Sequence, residues 1–187
     1  AMLKGANLPA PKKVFTTWFF TVDGQKMSKS LWNVIEPLQL LEEYWRDAIS
    51  LYLFYDIKIW KDGDFSFARF KDVYNHILIW GLWNLVYRVS KLSEKFNITK
   101  WVYHGSNIEN ELLDGILNNN IEDILEKYFE DVNFQYYLKA YYELIQKVNW
   151  YIQDKQPWKL IKEDEKEWMK VLETSIYLIH KINLLGS

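Results

Sequence analysis

Two lysines and two serines lie within five residues, Lys26-Met27-Ser28-Lys29-Ser30. Ammonium groups and hydroxyls can contact phosphate oxygens, and cations that reach developing negative charge only in a transition state lower the barrier to the reaction. The same spacing occurs in exposed turns whose lysines are only solvated, and for a bare Lys-x-x-Lys pair that interpretation is the more common one. The meaning of the lysine pair therefore depends on the residues around it.

A second set of polar groups follows helical spacing further along the chain. The spacing of four, four, three and four residues places these side chains in one stripe: Trp80, Asn84, Arg88, Lys91 and Lys95. An amide and a guanidinium one turn apart can read base edges, while lysines hold phosphates. Trp158 follows a proline that ends a helix and could offer a face on which an unpaired base stacks. On the sequence alone, a solvated helix face and a core tryptophan explain these residues equally well.

The composition excludes several other kinds of site. The 187 residues contain no cysteine, which removes disulfides and thiolate zinc sites. The three histidines, His76, His104 and His180, have no ligand-like spacing, so no metal site is predicted. No run approaches the ~18 apolar residues of a membrane span, and we expect a cytoplasmic protein. Because the net charge is −2, nucleic-acid binding would depend on local basic patches.

The first half of the chain predicts a small α/β piece that carries the lysine pair. Residues 14–22 are β-branched and aromatic and end at Asp23-Gly24, which predicts a hairpin. Pro37 predicts the first turn of a helix. Asp62-Gly63-Asp64 predicts a turn, and Ser66 the N-cap of a regular helix that reaches about residue 95.

The second half predicts an antiparallel helical bundle, so the fold class is mainly α. The apolar spacing predicts a loop over 97–108, two shorter helices over 109–130, and long helices over about 133–154 and 164–184. Pro157 marks the break between the two long helices. The acidic run Glu163-Asp164-Glu165 is expected to serve the N-terminus of the last helix.

Several strings resemble class I aminoacyl-tRNA synthetases, and among them the methionyl-tRNA synthetase family. Lys26–Ser30, followed by 31–37, resembles the mobile ATP-handling loop of the class. Asp62–Ser66 narrows the resemblance to the methionyl family. Asn84–Arg88 resembles the first anticodon-reading helix of that family, and the segment 149–160 resembles the one that supplies its anticodon-stacking tryptophan. The matches occur in the family's order over most of the chain.

The resemblance implies the C-terminal portion of an enzyme that attaches methionine to its tRNA with ATP and magnesium. Lys26 and Lys29 would meet the phosphate oxygens of ATP, Ser28 and Ser30 would donate hydrogen bonds, and Met27 would anchor the loop. Residues 1–64 would form the loop and stem-contact region. The pockets for ATP and methionine would lie before residue 1, so we expect this chain alone to be inactive and to hold no cofactor.

The resemblance also implies a tRNA partner for the bundle over 65–187. Asn84, Arg88 and Trp158 are the implied contacts to the CAU anticodon of a methionine-specific tRNA. The alternative is a stand-alone RNA- or protein-binding helical module that descended from a synthetase and lost catalysis. No membrane contact is expected in either case.

Five tryptophans stand where the family usually has glycine: Trp18, Trp32, Trp45, Trp60 and Trp83. A tryptophan at a left-handed position would be strained by ~1–3 kcal/mol, and a bulky ring at a close approach would overpack. A gene that reads UGA as glycine, translated with a table that reads UGA as tryptophan, would explain all five. Exchanging them would bring glycine to roughly 6% of the chain, near its usual share. The alternative is a divergent enzyme that repacked around genuine tryptophans.

Overall fold

The structure contains a small three-stranded sheet and a helical bundle. It is a computed structural model that describes residues 2–11, 13–14, 16, 19–58, 61–95, 108, 115, 117 and 120–185. In this part of the chain the α-helices are α1 (Met2–Gly5), α2 (Pro37–Glu43), α3 (Arg46–Asp56), α4 (Phe67–Val73), α5 (Asn84–Lys95), α6 (Ile121–Glu130), α7 (Phe134–Lys155), α8 (Pro157–Leu160) and α9 (Glu165–Leu185). The predicted mainly α fold class is therefore confirmed. None of the described helices is both long and apolar enough to cross a membrane.

The long helices of the second half end where the sequence predicts. α7 and α9 reproduce the predicted ranges within a residue or two, and Pro157 begins α8 after Gln156 takes a left-handed conformation with φ of 44°. Asp164 caps α9, because its Oδ1 accepts hydrogen bonds from the backbone N–H groups of Lys166 and Glu167 at 3.0 and 3.1 Å. Most of the predicted loop over 97–108 and of the helix that precedes α6 lies outside the described residues.

Three short strands form a mixed sheet beside the bundle. β1 (Phe20–Val22) pairs antiparallel with β2 (Gln25–Lys26) across the predicted Asp23-Gly24 turn, and parallel with β3 (Gly63–Phe65). The prediction of a turn at 62–64 was wrong for residues 63 and 64, which belong to β3. Gly63 fits closely there, because a Cβ atom would lie 3.0 Å from the Ile57 side chain and 3.1 Å from the Phe20 ring.

The predicted helix over 66–95 is continuous but not regular. A π-helix, Tyr74–Trp83, joins α4 to α5, which corrects the prediction of uniform α spacing. Two of its carbonyls accept hydrogen bonds from α7: that of His76 from the Tyr142 hydroxyl at 3.1 Å, and that of Gly81 from the Asn149 amide at 3.2 Å. Gly81 lets α7 approach, since a Cβ atom there would lie 2.9 Å from the Tyr142 ring. Such π segments are frequent at functional sites.

Two hydrophobic cores hold these elements together. The larger one lies between α5, α6, α7 and α9 and includes Leu85, Val148 and Leu178, each with no exposed surface. The smaller one joins the mixed piece to α4 through Leu40, Tyr52, Phe65 and Phe70, and the Tyr52 ring meets the two Phe rings edge to face. The Tyr52 hydroxyl accepts a hydrogen bond from the Ser66 backbone N–H at 3.1 Å, so the start of α4 is fixed to this smaller core.

Candidate functional site

The lysine pair lies on a short loop that leaves the sheet at β2. Lys26 is the last residue of β2, and Lys29 begins a 3₁₀ turn over Lys29–Leu31. Ser28 is the N-cap of this turn, because its Oγ accepts a hydrogen bond from the Ser30 backbone N–H at 3.3 Å. The hydroxyls of Ser28 and Ser30 lie 2.7 Å apart. Both serines are therefore engaged in shaping the loop, while both lysines are exposed.

The ammonium groups of Lys26 and Lys29 are unpaired within the described ranges, where neither forms a hydrogen bond or an ion pair. Met27 between them is half-buried. Two exposed ammonium groups three residues apart, on a loop with hydroxyls, can neutralise a polyphosphate that approaches from outside. This arrangement suits a site completed by another part of a protein.

The hairpin that carries the loop is fixed to α4 by one carboxylate. Oδ1 of Asp64 accepts hydrogen bonds from the Thr21 hydroxyl and the Gly24 backbone N–H, both at 2.7 Å, and Oδ2 lies 3.0 Å from Nη2 of Arg69. The hydrogen bond from Thr21, followed by that from Gly24, holds the pKa of Asp64 below its usual value. Arg69 also pairs with Asp56 of α3 at 3.0 Å. Gly24 adopts a φ of +75°, which glycine takes without strain.

The second predicted site assembles from two distant segments. The guanidinium carbon of Arg88 lies 4.9 Å above the centre of the Trp158 ring, a cation–π contact between α5 and α8. Nη2 of Arg88 donates a hydrogen bond to Oε1 of Gln153 at 3.0 Å. Burial lowers the pKa of Arg88 from its ordinary value, and arginine remains charged in proteins even so. Trp158 keeps 39% of its surface exposed, so part of its side chain is accessible to a ligand.

The remaining residues of the predicted stripe differ in their surroundings. Asn84 is half-buried at the start of α5, one turn before Arg88. Trp80 is exposed and lies edge-on to the His76 ring at 4.8 Å. Lys91 forms an ion pair with Glu94 at 2.6 Å. The structure thus brings Arg88 and Trp158 into contact and places Asn84 one turn before Arg88 on the same helix.

Two contacts were not among the predicted site residues. Gln153 lies 65 positions from Arg88 in the chain, and no local pattern indicates such a pairing. Asn33 follows the loop, and its carboxamide bonds to the backbone of Lys26 and Ser28. The tendency of asparagine to bond nearby backbone groups was the available signal for Asn33.

Three of the five unusual tryptophans are described, and all three are exposed. Trp32 is 93% exposed with a left-handed φ of 52°, Trp45 is 86% exposed, and Trp83 is 64% exposed. None of these three rings overpacks a core, and only Trp32 has the backbone conformation that favours glycine. Trp18 and Trp60 lie outside the described residues.

Comparisons with known proteins agree on one family. A family model described as tRNA synthetases class I (M) matches residues 1–90. The methionine–tRNA ligase of Nostoc sp. is 33% identical over 184 residues, which is 96% of this chain and 33% of the relative. That of Thermotoga maritima is 34% identical over 209 residues, which is 99% of this chain and 30% of the relative. The chain belongs to the methionyl-tRNA synthetase family.

Solved methionyl-tRNA synthetases share the fold of the chain. The Mycobacterium tuberculosis enzyme in complex with methionyl-adenylate aligns with a TM-score of 0.77 at 22% identity, over 98% of this chain and 36% of that one. Its ligand-free form aligns with a TM-score of 0.72 at 19% identity. The chain spans about a third of the length of the methionyl-tRNA synthetases that it matches.

Proposed function

We propose that this chain supplies the ATP-handling loop and the anticodon-binding surface of a methionine–tRNA ligase. The whole enzyme would attach methionine to its tRNA at the expense of ATP. Residues 1–64 would carry the loop, and residues 65–187 the helical bundle that contacts the anticodon. The observation that carries this proposal is the contact between Arg88 and Trp158, which lie 70 positions apart and meet at 4.9 Å.

The loop chemistry follows from charge. When the methionine carboxylate attacks the α-phosphate of ATP and pyrophosphate leaves, negative charge builds up on the phosphate oxygens. Lys26 and Lys29 can approach those oxygens because no partner within the described ranges holds their ammonium groups. Cations that engage most strongly in the transition state raise the rate instead of merely tightening binding. The nucleotide itself would bind outside this chain, and we assign no magnesium ligand to the described residues.

The anticodon chemistry follows from the geometry of Arg88 and Trp158. Unpaired bases are recognised by stacking on aromatic faces and by hydrogen bonds to their edges. The stacked guanidinium would present its remaining N–H groups beside the indole, where a base that stacks on Trp158 would bring its edge. The Asn84 amide, one turn before Arg88, would provide a second reading group.

The first prediction tests this surface on the chain itself. We expect a labelled stem-loop RNA with a CAU anticodon to bind at least tenfold more tightly than one with a changed anticodon, as measured by fluorescence anisotropy at fixed salt. Trp158→Ala should remove most of that preference, because base stacking contributes ~1–3 kcal/mol per base. Trp150→Ala is the matched control, since Trp150 lies on α7, is 71% exposed and is not a proposed contact. Equal loss in both variants, or weak binding that ignores the anticodon, would contradict the proposal.

A further inference from the structure

We propose that Asn33 is a positioning residue of the ATP-handling loop, an inference that rests on the proposed function. Asn33 is half-buried and lies outside the five residues that carry the lysine pair. Its Oδ1 accepts a hydrogen bond from the Ser28 backbone N–H at 2.8 Å, and its Nδ2 donates to the Lys26 carbonyl at 3.1 Å. One side chain therefore joins the start and the end of the loop.

These two bonds act on the backbone next to each lysine. The bond donated by the Asn33 Nδ2 engages the carbonyl of Lys26 itself. The bond accepted by the Asn33 Oδ1 holds Ser28, the N-cap of the 3₁₀ turn in which Lys29 is the first residue. Ser28 in turn accepts a backbone hydrogen bond from Leu31 at 3.1 Å. The backbone between the two lysines, from the Lys26 carbonyl to the Ser28 N–H, is thus held by contacts that start at Asn33.

The chain must reverse direction for Asn33 to reach back to Lys26. This reversal occurs at Trp32, whose left-handed φ of 52° ends the 3₁₀ turn, and whose N–H bonds to the Lys29 carbonyl at 3.4 Å. The outer end of the hairpin is fixed independently by Asp64 at Gly24. Both lysines therefore lie between two fixed points of the backbone, Gly24 and Asn33.

Positioning of this kind affects the chemical step more than ground-state binding. A misplacement of about 1 Å of a group that acts in the transition state can reduce a rate by up to about 100-fold. The lysines would contact ATP, while methionine would bind elsewhere, so loss of Asn33 should lower kcat and leave the KM for methionine unchanged. If Asn33 had only a structural role, its loss would lower the stability of the enzyme and would not lower kcat selectively.

The test compares Asn33→Ala with Val34→Ala in the full-length ligase that contains this chain. Val34 is the next residue and is 48% exposed, so its truncation is a matched control. In methionine-dependent ATP–pyrophosphate exchange we expect Asn33→Ala to lower kcat at least tenfold, with the KM for methionine and the Tm unchanged. Asn33→Asp keeps the acceptor for Ser28 and loses the donor to Lys26, so its kcat should lie between those of the parent and Asn33→Ala.

Amide hydrogen exchange of Ser28 in the isolated chain provides a second measurement. We expect Asn33→Ala to accelerate that exchange at least tenfold, and Val34→Ala to leave it unchanged. A kcat for Asn33→Ala within twofold of the parent, or a fall in Tm that accounts for the lost activity, would overturn the inference. A parent enzyme with no methionine-dependent exchange would refute the proposed function before any variant is compared. In that case unchanged Ser28 exchange in Asn33→Ala would overturn the inference as well. Faster exchange would support the role of Asn33 in holding the loop backbone, independently of the proposed function.

Discussion

Backbone and side chain are poorly matched at position 32. Trp32 adopts φ 52° and ψ 25°, a left-handed conformation that costs an L-residue roughly 1–2 kcal/mol, and its ring is 93% exposed. The exposed ring therefore contributes little burial to offset the backbone strain. Trp83, in contrast, lies inside the π-helix with a negative φ and with its ring 64% exposed.

We predict that Trp32→Gly stabilises the chain and that Trp83→Gly destabilises it. At position 32 the relief of strain exceeds the entropy that glycine adds to the unfolded chain, for a net gain of about 0.5–1 kcal/mol. At position 83 glycine in a helix interior should cost about 1 kcal/mol. Urea unfolding of the two variants, followed by far-UV circular dichroism, measures both changes. The same sign for both would contradict this account.

The two positions bear differently on the codon hypothesis. The left-handed backbone at Trp32 is what a glycine codon there would explain, since glycine takes that conformation at no steric cost. Trp45 has a φ of −64°, and Trp83 has a helical backbone, so neither conformation requires glycine. The codons remain the decisive observation, because UGG at these positions would exclude the hypothesis.

At the scale of elements, Asp64 joins the hairpin, β3 and α4. Its carboxylate receives hydrogen bonds from Thr21 and Gly24 and an ion pair from Arg69. Because its pKa is lowered in the folded chain, the ionised form adds stability above the unfolded pKa of about 3.9. That contribution is lost as the pH falls through the folded pKa.

We predict that Asp64→Asn destabilises the chain by about 1–2 kcal/mol at pH 7, after allowance for partial solvent screening. The difference from the parent should shrink as the pH falls below about 4, because Asp64 is then protonated in the unfolded parent while it is still ionised in the folded one. Urea unfolding at pH 7 and at pH 3 measures both values. Asp23 lies in the turn between β1 and β2 and is exposed, so Asp23→Asn should stay within about 0.5 kcal/mol of the parent. An Asp64→Asn effect independent of pH would show that the charge contributes nothing.

Local patterns predicted the elements best where one rule acts alone. The apolar spacing of α7 and α9, the proline at the start of α2 and the acidic cap of α9 all follow from chemistry within one or two turns. β3 and the π-helix were missed because their causes are tertiary. Gly63 fits between two side chains from other segments, and the π-helix carbonyls bond to α7.

The same distinction holds for the site. The loop and the stripe could be read from the sequence as candidates because their members lie within a few residues of one another. The stacking of Arg88 on Trp158 and the bond to Gln153 depend on how α5 packs beside α7 and α8, which no local pattern encodes. Asn33 lies within the segment 31–37 that resembles the family's ATP-handling loop, but its two bonds follow from the reversal at Trp32.

At the scale of the whole molecule, the two proposed functional parts share their packing. The smaller core takes Leu40 and Tyr52 from before residue 64, and Phe65 and Phe70 from after it. Contacts between α3 and α7 add to this. The Phe54 and Phe134 rings lie 4.9 Å apart, and the Gln135 side chain donates to the Tyr55 carbonyl at 3.0 Å. Neither part can therefore separate without exposing apolar surface.

We accordingly predict that the chain unfolds in one cooperative transition, although its loop and its proposed RNA-binding surface are assigned different roles. Far-UV circular dichroism reports the bundle helices, and a fluorophore on Cys substituted for exposed Gln25 reports the hairpin. In urea the two midpoints should coincide. Phe70→Ala removes a ring with no exposed surface and should lower both midpoints together, because truncating a buried Phe costs about 3–5 kcal/mol. A hairpin that unfolds first, with the bundle midpoint unchanged in Phe70→Ala, would show that the two parts fold independently.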